Sequence, residues 1–84
     1  MVYKARLPNS FQKETKKLPG NIKSKVIKEI KTILEDPYCG IALVGNLKGL
    51  WKRRMGKYRI VYQILNDKEF VIFHSVDLRK KIYK

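Results

Sequence analysis

Acidic residues are scarce in this chain of 84 residues, with 7 Asp and Glu against 20 Lys and Arg and a formal net charge of +13. Polyanions are the natural partners of such a molecule. There is one cysteine, Cys39, and one histidine, His74. A lone thiol closes no internal disulfide, and with no second cysteine or nearby histidine it builds no zinc site, so Cys39 reads as a filler residue in a reducing compartment. No apolar run is long enough to span a bilayer, and Met1 to Arg6 has neither the apolar stretch nor the small-residue cleavage site of a signal peptide. The expectation is a cytoplasmic protein with no membrane partner. A basic disordered tail is excluded in turn, because 44% of the residues are hydrophobic, an ordinary share for a folded domain. The length fits a single domain, 1–84, that buries about 60 to 65% of its unfolded surface.

The scarcity of acid has a location. From Pro37 to Asn66 there is no Asp or Glu at all. Inside that window, Gly49 to Tyr62 reads as two strands around a Gly56-Lys57 turn of type II′, the type with glycine at its first central position, the second strand continuing to Leu65. Met55 then faces Tyr58, Arg54 faces Arg59, and Lys52 faces Val61. The side-chain period of two puts Lys52, Arg54 and Arg59 on one face, and Trp51, Arg53, Met55, Tyr58, Ile60 and Tyr62 on the other. The mostly apolar face meets a core; the cationic one is expected to be wet. Like charges directly opposite each other destabilise a pair by up to about 1 kcal/mol, so something other than stability placed Arg54 against Arg59.

Around this hairpin the periodicity predicts one more strand at each end and two helices between. Met1 to Arg6 alternates as a strand that Pro8 stops. Asn9 or Ser10 is expected to cap a first helix with Phe11, Thr15 and Leu18 on one face. Leu18-Pro19-Gly20-Asn21 reads as a turn. A second helix follows, with Ile22, Val26, Ile30, Ile33 and Leu34 as its apolar stripe and Lys23, Lys25, Lys28 and Lys31 outside, ending near Asp36 because Pro37 follows. Tyr38 to Lys48 reads as a loop. After the hairpin comes a turn at Asn66 to Glu69 and a strand, Phe70 to Val76, too apolar to be a wet edge. Asp77 to Lys84 is a basic tail. The fold class is therefore α+β: an N-terminal strand, a helical hairpin, then a three-stranded antiparallel meander, one sheet with the helices on one face.

This order and the string Leu47-Lys48-Gly49-Leu50-Trp51-Lys52-Arg53-Arg54-Met55-Gly56-Lys57-Tyr58-Arg59-Ile60-Val61-Tyr62 resemble the RelE/ParE superfamily of toxins from type II toxin-antitoxin systems, in particular the RelE branch. Ile33-Leu34-Glu35-Asp36-Pro37 and the ending Arg79-Lys80-Lys81-Ile82-Tyr83 look like further landmarks in the right order. The resemblance implies a RelE-like fold and a ribosome-dependent endoribonuclease. Such an enzyme cuts messenger RNA in the ribosomal A site by attack of a 2′-hydroxyl on the neighbouring phosphate. It also implies neutralisation by a RelB-like antitoxin in a toxin-antitoxin hetero-oligomer, with no metal and no cofactor. By position, Lys52, Arg54, Arg59, Arg79 and Tyr83 match the family's catalytic residues, and Lys57, Lys80 and Lys81 add RNA-binding charge.

Those residue types suit the chemistry. Cationic neighbours are expected to lower the pKa of Lys52 and favour an amine able to accept a proton. Arg54 and Arg59 clamp phosphate oxygens, Arg79 stabilises the leaving oxygen, and Tyr83 stacks on an exposed base. The chain departs from relatives of the YoeB kind, which pair a Glu with a His: the matching places hold Ile41 and Leu78. Alternatives stand beside this reading. The cationic face is also what a non-cutting RNA-binding module would carry, and a ParE-like, non-nucleolytic inhibitor of DNA gyrase is a member of the same superfamily. Trp51 reads as a core residue. Tyr83 serves equally as a residue pinned to the sheet. His74 reads as structural, although a two-residue turn at Asp67-Lys68 would set it beside Val61 on the cationic face.

Overall fold

The apolar stripe of the second predicted helix does become one wall of the core. The computed structural model describes residues 2–78. Helix α1 covers Asn9–Lys16 and α2 covers Gly20–Glu35; the strands are β1 (Lys4–Arg6), β2 (Ile41–Ala42), β3 (Leu50–Met55), β4 (Tyr58–Leu65) and β5 (Phe70–Leu78). They form one sheet in the order β1-β5-β4-β3-β2. Val26 and Ile33 of α2, with Phe11 of α1, are buried against Ile60 and Tyr62 of β4 and Val71, Phe73 and Val76 of β5. Phe73 is the hub of this layer, with ring centroids 5.7 Å from Phe11 and 6.1 Å from Tyr62. Trp51 packs against the same core but stays half-buried, edge-on to Tyr38 at 5.2 Å.

The β3-β4-β5 meander is antiparallel as expected. Two features enlarge it. β1 joins parallel to β5, Lys4 beside Phe70 and Arg6 beside Ile72, which makes β5 an interior strand and accounts for its apolarity. The segment Tyr38 to Lys48, expected to be a loop, contains β2, which pairs Ile41 with Lys52 and Ala42 with Trp51. It is flanked by two short 3-10 turns, Pro37–Cys39 and Gly45–Leu47.

Helix starts also differ from expectation, for one physical reason. Pro8 and Pro19, rather than Asn9 or Ser10, occupy the N-cap positions, with φ near −58° and −57° and extended ψ. A cap residue needs that backbone shape and a free carbonyl but no N–H, so proline fills it without loss. The Pro8 carbonyl accepts from Gln12 N, and the Pro19 carbonyl from Ile22 and Lys23 N. The turn expected at Leu18 to Asn21 is correspondingly shorter, because α2 has begun at Gly20. At the other end α2 stops as predicted: Asp36 is extended (φ −151°, ψ 88°), the shape a residue before proline adopts.

Three polar links lock the helical layer and its connection onto the sheet. Arg53 of β3 donates from Nε to Glu29 of α2. Glu14 of α1 accepts from the amide of Val76, 3.1 Å away, on the side of β5 that β1 no longer covers. The buried Tyr62 hydroxyl donates to the Pro37 carbonyl at 2.6 Å. Gly40 lies in this last corner. A Cβ there would run into the Tyr62 hydroxyl and come within 2.5 Å of the Lys52 carbonyl.

Gly40→Ala is therefore expected to lower stability by about 1 to 3 kcal/mol, the usual cost of overpacking. Gly20→Ala, in open space at the start of α2, should be neutral or stabilising by about 0.4 to 1 kcal/mol. Chemical denaturation of the two variants measures the contrast; equal effects would refute the close-approach account.

Candidate functional site

The hairpin takes the register that its turn dictates. Met55 pairs with Tyr58, Arg54 with Arg59, and Lys52 with Val61. Gly56 has φ 63°, and Lys57 is not among the residues of positive φ, which is the type II′ pattern. Alternation then divides the side chains into two faces.

On the inner face, Met55, Ile60 and Tyr62 are buried, and Arg53 reaches α2. The hydrogen bond to Glu29 raises the pKa of the Arg53 guanidinium, so this link is a fixed charge pair. Burial pushes the Tyr62 phenol well above its ordinary range, which keeps the hydroxyl a donor to Pro37.

On the outer face the structure brings Lys52, Arg54 and Arg59 together, but not as three equally wet cations. Arg54 is exposed, Lys52 is half-buried, and Arg59 is only 5% exposed. Val61, next to it on the same face, is 4% exposed. The expectation of an open solvated surface thus fails at its centre. β4 is an interior strand of the sheet, and the backbone register of β5 sets Asp77 across from Arg59, on the side away from Arg54.

Asp77 is the residue that sequence reasoning missed, and the cause is a single irregularity. From Leu65↔Phe70 to Tyr62↔Phe73 the β4-β5 register is the one that a turn centred on Asp67-Lys68 would give. The pairing then shifts, so that Val61 meets Ser75 and His74 is left over as a bulge. Without the shift Arg59 would meet Val76. With it, Val76 turns to the core at 2% exposure and Asp77 joins the outer row's register. The signal was present: Phe73 and Val76 are three apart, so both can face inward only if one residue between them is extra. His74 itself is exposed, its Nε2 3.1 Å from Gln63 Oε1, an oxygen that only accepts, so the imidazole N–H donates.

The remaining candidates are placed as follows. Lys57 is exposed in the turn at the tip of the hairpin. Ile41 pairs with Lys52 from β2 and is 57% exposed, an apolar neighbour for that amine. Leu78 is opposite Tyr58 in register. Arg79, Lys80, Lys81 and Tyr83 lie outside the described residues. Among the described residues, no three His, Cys, Asp or Glu side chains converge to hold a metal ion, and no helix is long and apolar enough to cross a membrane.

Comparison with known proteins places this geometry. Residues 5–83 match the family model described as ParE toxin of type II toxin-antitoxin system, parDE. The fold matches a chain in the RelBE2 toxin-antitoxin complex from Mycobacterium tuberculosis with a TM-score of 0.87 and 27% identity, over 94% of this chain and 100% of that one. A double arginine-to-alanine mutant of the E. coli toxin RelE in the free state shares the fold with a TM-score of 0.82 and 24% identity, over 98% and 88% of the two chains. The archaeal RelE-RelB complex from Pyrococcus horikoshii OT3 also shares it, with a TM-score of 0.79 and 17% identity, over 96% and 99%. Among curated protein sequences none matches significantly.

The bulge makes a measurable prediction for the site. Deleting His74 removes the extra residue and leaves Ile60 opposite Val76 and Arg59 opposite Asp77 in a continuous ladder, so cooperative unfolding should be retained. Val76→Asp, at a core position 2% exposed, should lose it or destabilise by more than about 3 kcal/mol. His74→Ala keeps the extra residue and should stay within about 0.5 kcal/mol of wild type. Thermal melts of the three proteins decide this, and a His74 deletion as damaging as Val76→Asp would refute the account of His74 as the extra residue.

Proposed function

This chain belongs to the ParE toxin family of type II toxin-antitoxin systems, and on that footing we propose that it is a ribosome-dependent endoribonuclease. It cuts messenger RNA in the ribosomal A site, in the cytoplasm, and so inhibits translation. The observation that carries this reading is the outer-face row in which exposed Arg54 stands across from Arg59, with Lys52 two residues back on the same strand and face.

In the proposed reaction a ribose 2′-oxygen attacks the adjacent phosphorus, a 2′-O–P bond forms and the P–O5′ bond breaks. The leaving 5′-oxygen takes a proton from solvent, and the products are a 2′,3′-cyclic phosphate and a 5′-hydroxyl. Lys52 takes the proton of the 2′-hydroxyl, and Arg54 holds the equatorial phosphate oxygens through charge-assisted hydrogen bonds. Arg59, buried beneath the row, fixes positive charge under the phosphate. Arg79 at the leaving oxygen, Tyr83 on the base, and Lys57, Lys80 and Lys81 along the backbone complete the assignment. All but Lys57 of these enter from the family resemblance alone. With Ile41 beside Lys52 instead of a carboxylate, the cations themselves supply the chemistry, and the ribosome supplies substrate geometry.

A second reading has its own support. The matching family model is named for ParE, and an arginine at 5% exposure is poorly placed to touch a phosphate. Both fit a non-nucleolytic inhibitor of DNA gyrase. For either activity the proposed partner is a RelB-like antitoxin in a hetero-oligomer, as in the solved complexes. A groove of about 240 Å³ between α1 and α2, lined by Leu7, Phe11, Val26, Ile27 and Ile30 among others, suits an apolar helix face of that partner.

The burial of Arg59 makes its alanine variant a poor test, because that change also disturbs the sheet. Lys52→Ala and Arg54→Ala act at better exposed positions, and each should slow A-site cleavage by about 100-fold or more, read by primer extension on ribosome-bound messenger RNA. Cleavage by the double variant within a few-fold of wild type would sink the ribonuclease assignment; DNA breaks with intact transcripts would favour gyrase. Independently, Ile27→Asp, at a residue 53% exposed in the groove, should weaken capture of the toxin by its antitoxin at least about tenfold and leave cleavage unchanged, as measured by co-purification and primer extension.

A further inference from the structure

The outer face of the sheet continues well beyond the hairpin. Two rows from Arg59 along β4 is Gln63, beside Ile72 of β5, which in turn pairs with Arg6 of β1; the next row sets Phe70 beside Lys4. Three observations single out this second half. The Arg6 guanidinium lies over the Phe70 ring, 5.5 Å from its centroid, with Arg6 exposed and Phe70 half-buried. The β5 bulge turns His74 onto this face, where it donates to Gln63 and leaves the Gln63 amide N–H groups and the second imidazole nitrogen open for hydrogen bonds. Apart from Asp77, which the β5 register sets across from Arg59 at the hairpin end, no strand residue paired on this face is acidic, while Lys4, Arg6, Lys52, Arg54 and Arg59 are cationic.

We propose that Arg6, Phe70, Gln63 and His74 form a nucleotide-binding subsite for single-stranded RNA, continuous with the Lys52-Arg54 row. The proposal rests on the ribonuclease reading for the strand's identity, but its residues are separate. From β3 to β1 there are three interstrand steps, about 14 Å, the span of a few nucleotides of extended strand. An exposed guanidinium plane held over a half-buried aromatic ring is a stacking platform that accepts any base, since every base has a π-face. The Gln63-His74 pair offers donor and acceptor atoms at the level of a base edge or ribose. The cations at both ends of the track hold the phosphates. Ile72, between Gln63 and Arg6 in the row, is half-buried, and the polar Gln63-His74 pair and the cations surround it, a surface that suits RNA.

The test uses the full chain and fluorescently labelled 2′-O-methyl oligonucleotides, uncleavable because the nucleophile is blocked, of about three and about eight nucleotides. Wild type should bind the longer one more tightly. Arg6→Gln should weaken the longer complex about tenfold and the shorter less than about twofold; Phe70→Leu, which keeps apolar bulk, should act in the same direction. Lys25→Gln, an equal charge loss on the exposed side of α2, should affect both lengths equally and little. The subsite is refuted if Arg6→Gln behaves like Lys25→Gln, or if wild type shows no length preference or no binding. Arg54→Ala separates the two claims. Arg54 is assigned to the phosphate, so its loss should weaken both lengths; if it weakens neither, that ribonuclease assignment falls, while a length-dependent loss in Arg6→Gln would still establish this subsite.

Discussion

One extra residue in β5 reconciles two demands that a regular ladder could not meet together. β4 and β5 must bury Ile60, Tyr62, Phe73 and Val76 on the helix side, yet Phe73 and Val76 have opposite parity. The bulge at His74 resolves the conflict by shifting the register between Val61 and Tyr62. The same shift sets Asp77 across from Arg59 in the backbone register. Core packing and the register of the outer row are therefore consequences of one local irregularity, of the kind often found beside functional sites.

The hairpin that carries the cations is also held from behind. Arg53 is bound to Glu29 on α2, Tyr62 to the Pro37 carbonyl, and the Gly40 backbone lies against Tyr62 and Lys52. Each contact acts on an inner-face group or on the backbone of β3 and β4, yet each helps set where Lys52 and Arg54 project on the far side, because alternate residues of a strand share one rigid backbone. That rigidity matters for any reaction that depends on positioned charge, where a misplacement of about 1 Å can cost on the order of 100-fold in rate.

The charge distribution explains why such a surface persists. Arg54 against Arg59 costs stability, and a net charge of +13 adds general repulsion. A polyanion or an acidic partner relieves both. Burial divides the row: Arg59 is only 5% exposed, while Arg54 is exposed and Lys52 half-buried.

What the sequence determined by itself was local. The Gly56-Lys57 turn set the β3-β4 register because the two strands are joined by two residues, so a turn type is enough to pair them. The stripe Ile22-Val26-Ile30-Ile33 made α2, and Pro37 ended it. The family pattern of the hairpin was legible for the same reason. Tertiary structure decided what depended on residues far apart in the chain. β2 forms only because β3 offers an edge to two residues of otherwise loop-like sequence, and β1 is parallel to β5 because the helical hairpin carries the chain across the sheet. Which residue of β5 lies across from Arg59 follows from a bulge fifteen positions along, in a strand whose pairing no local signal specifies. A side chain's face is set by its neighbours in sequence, but whether that face is wet is set by its neighbours in space.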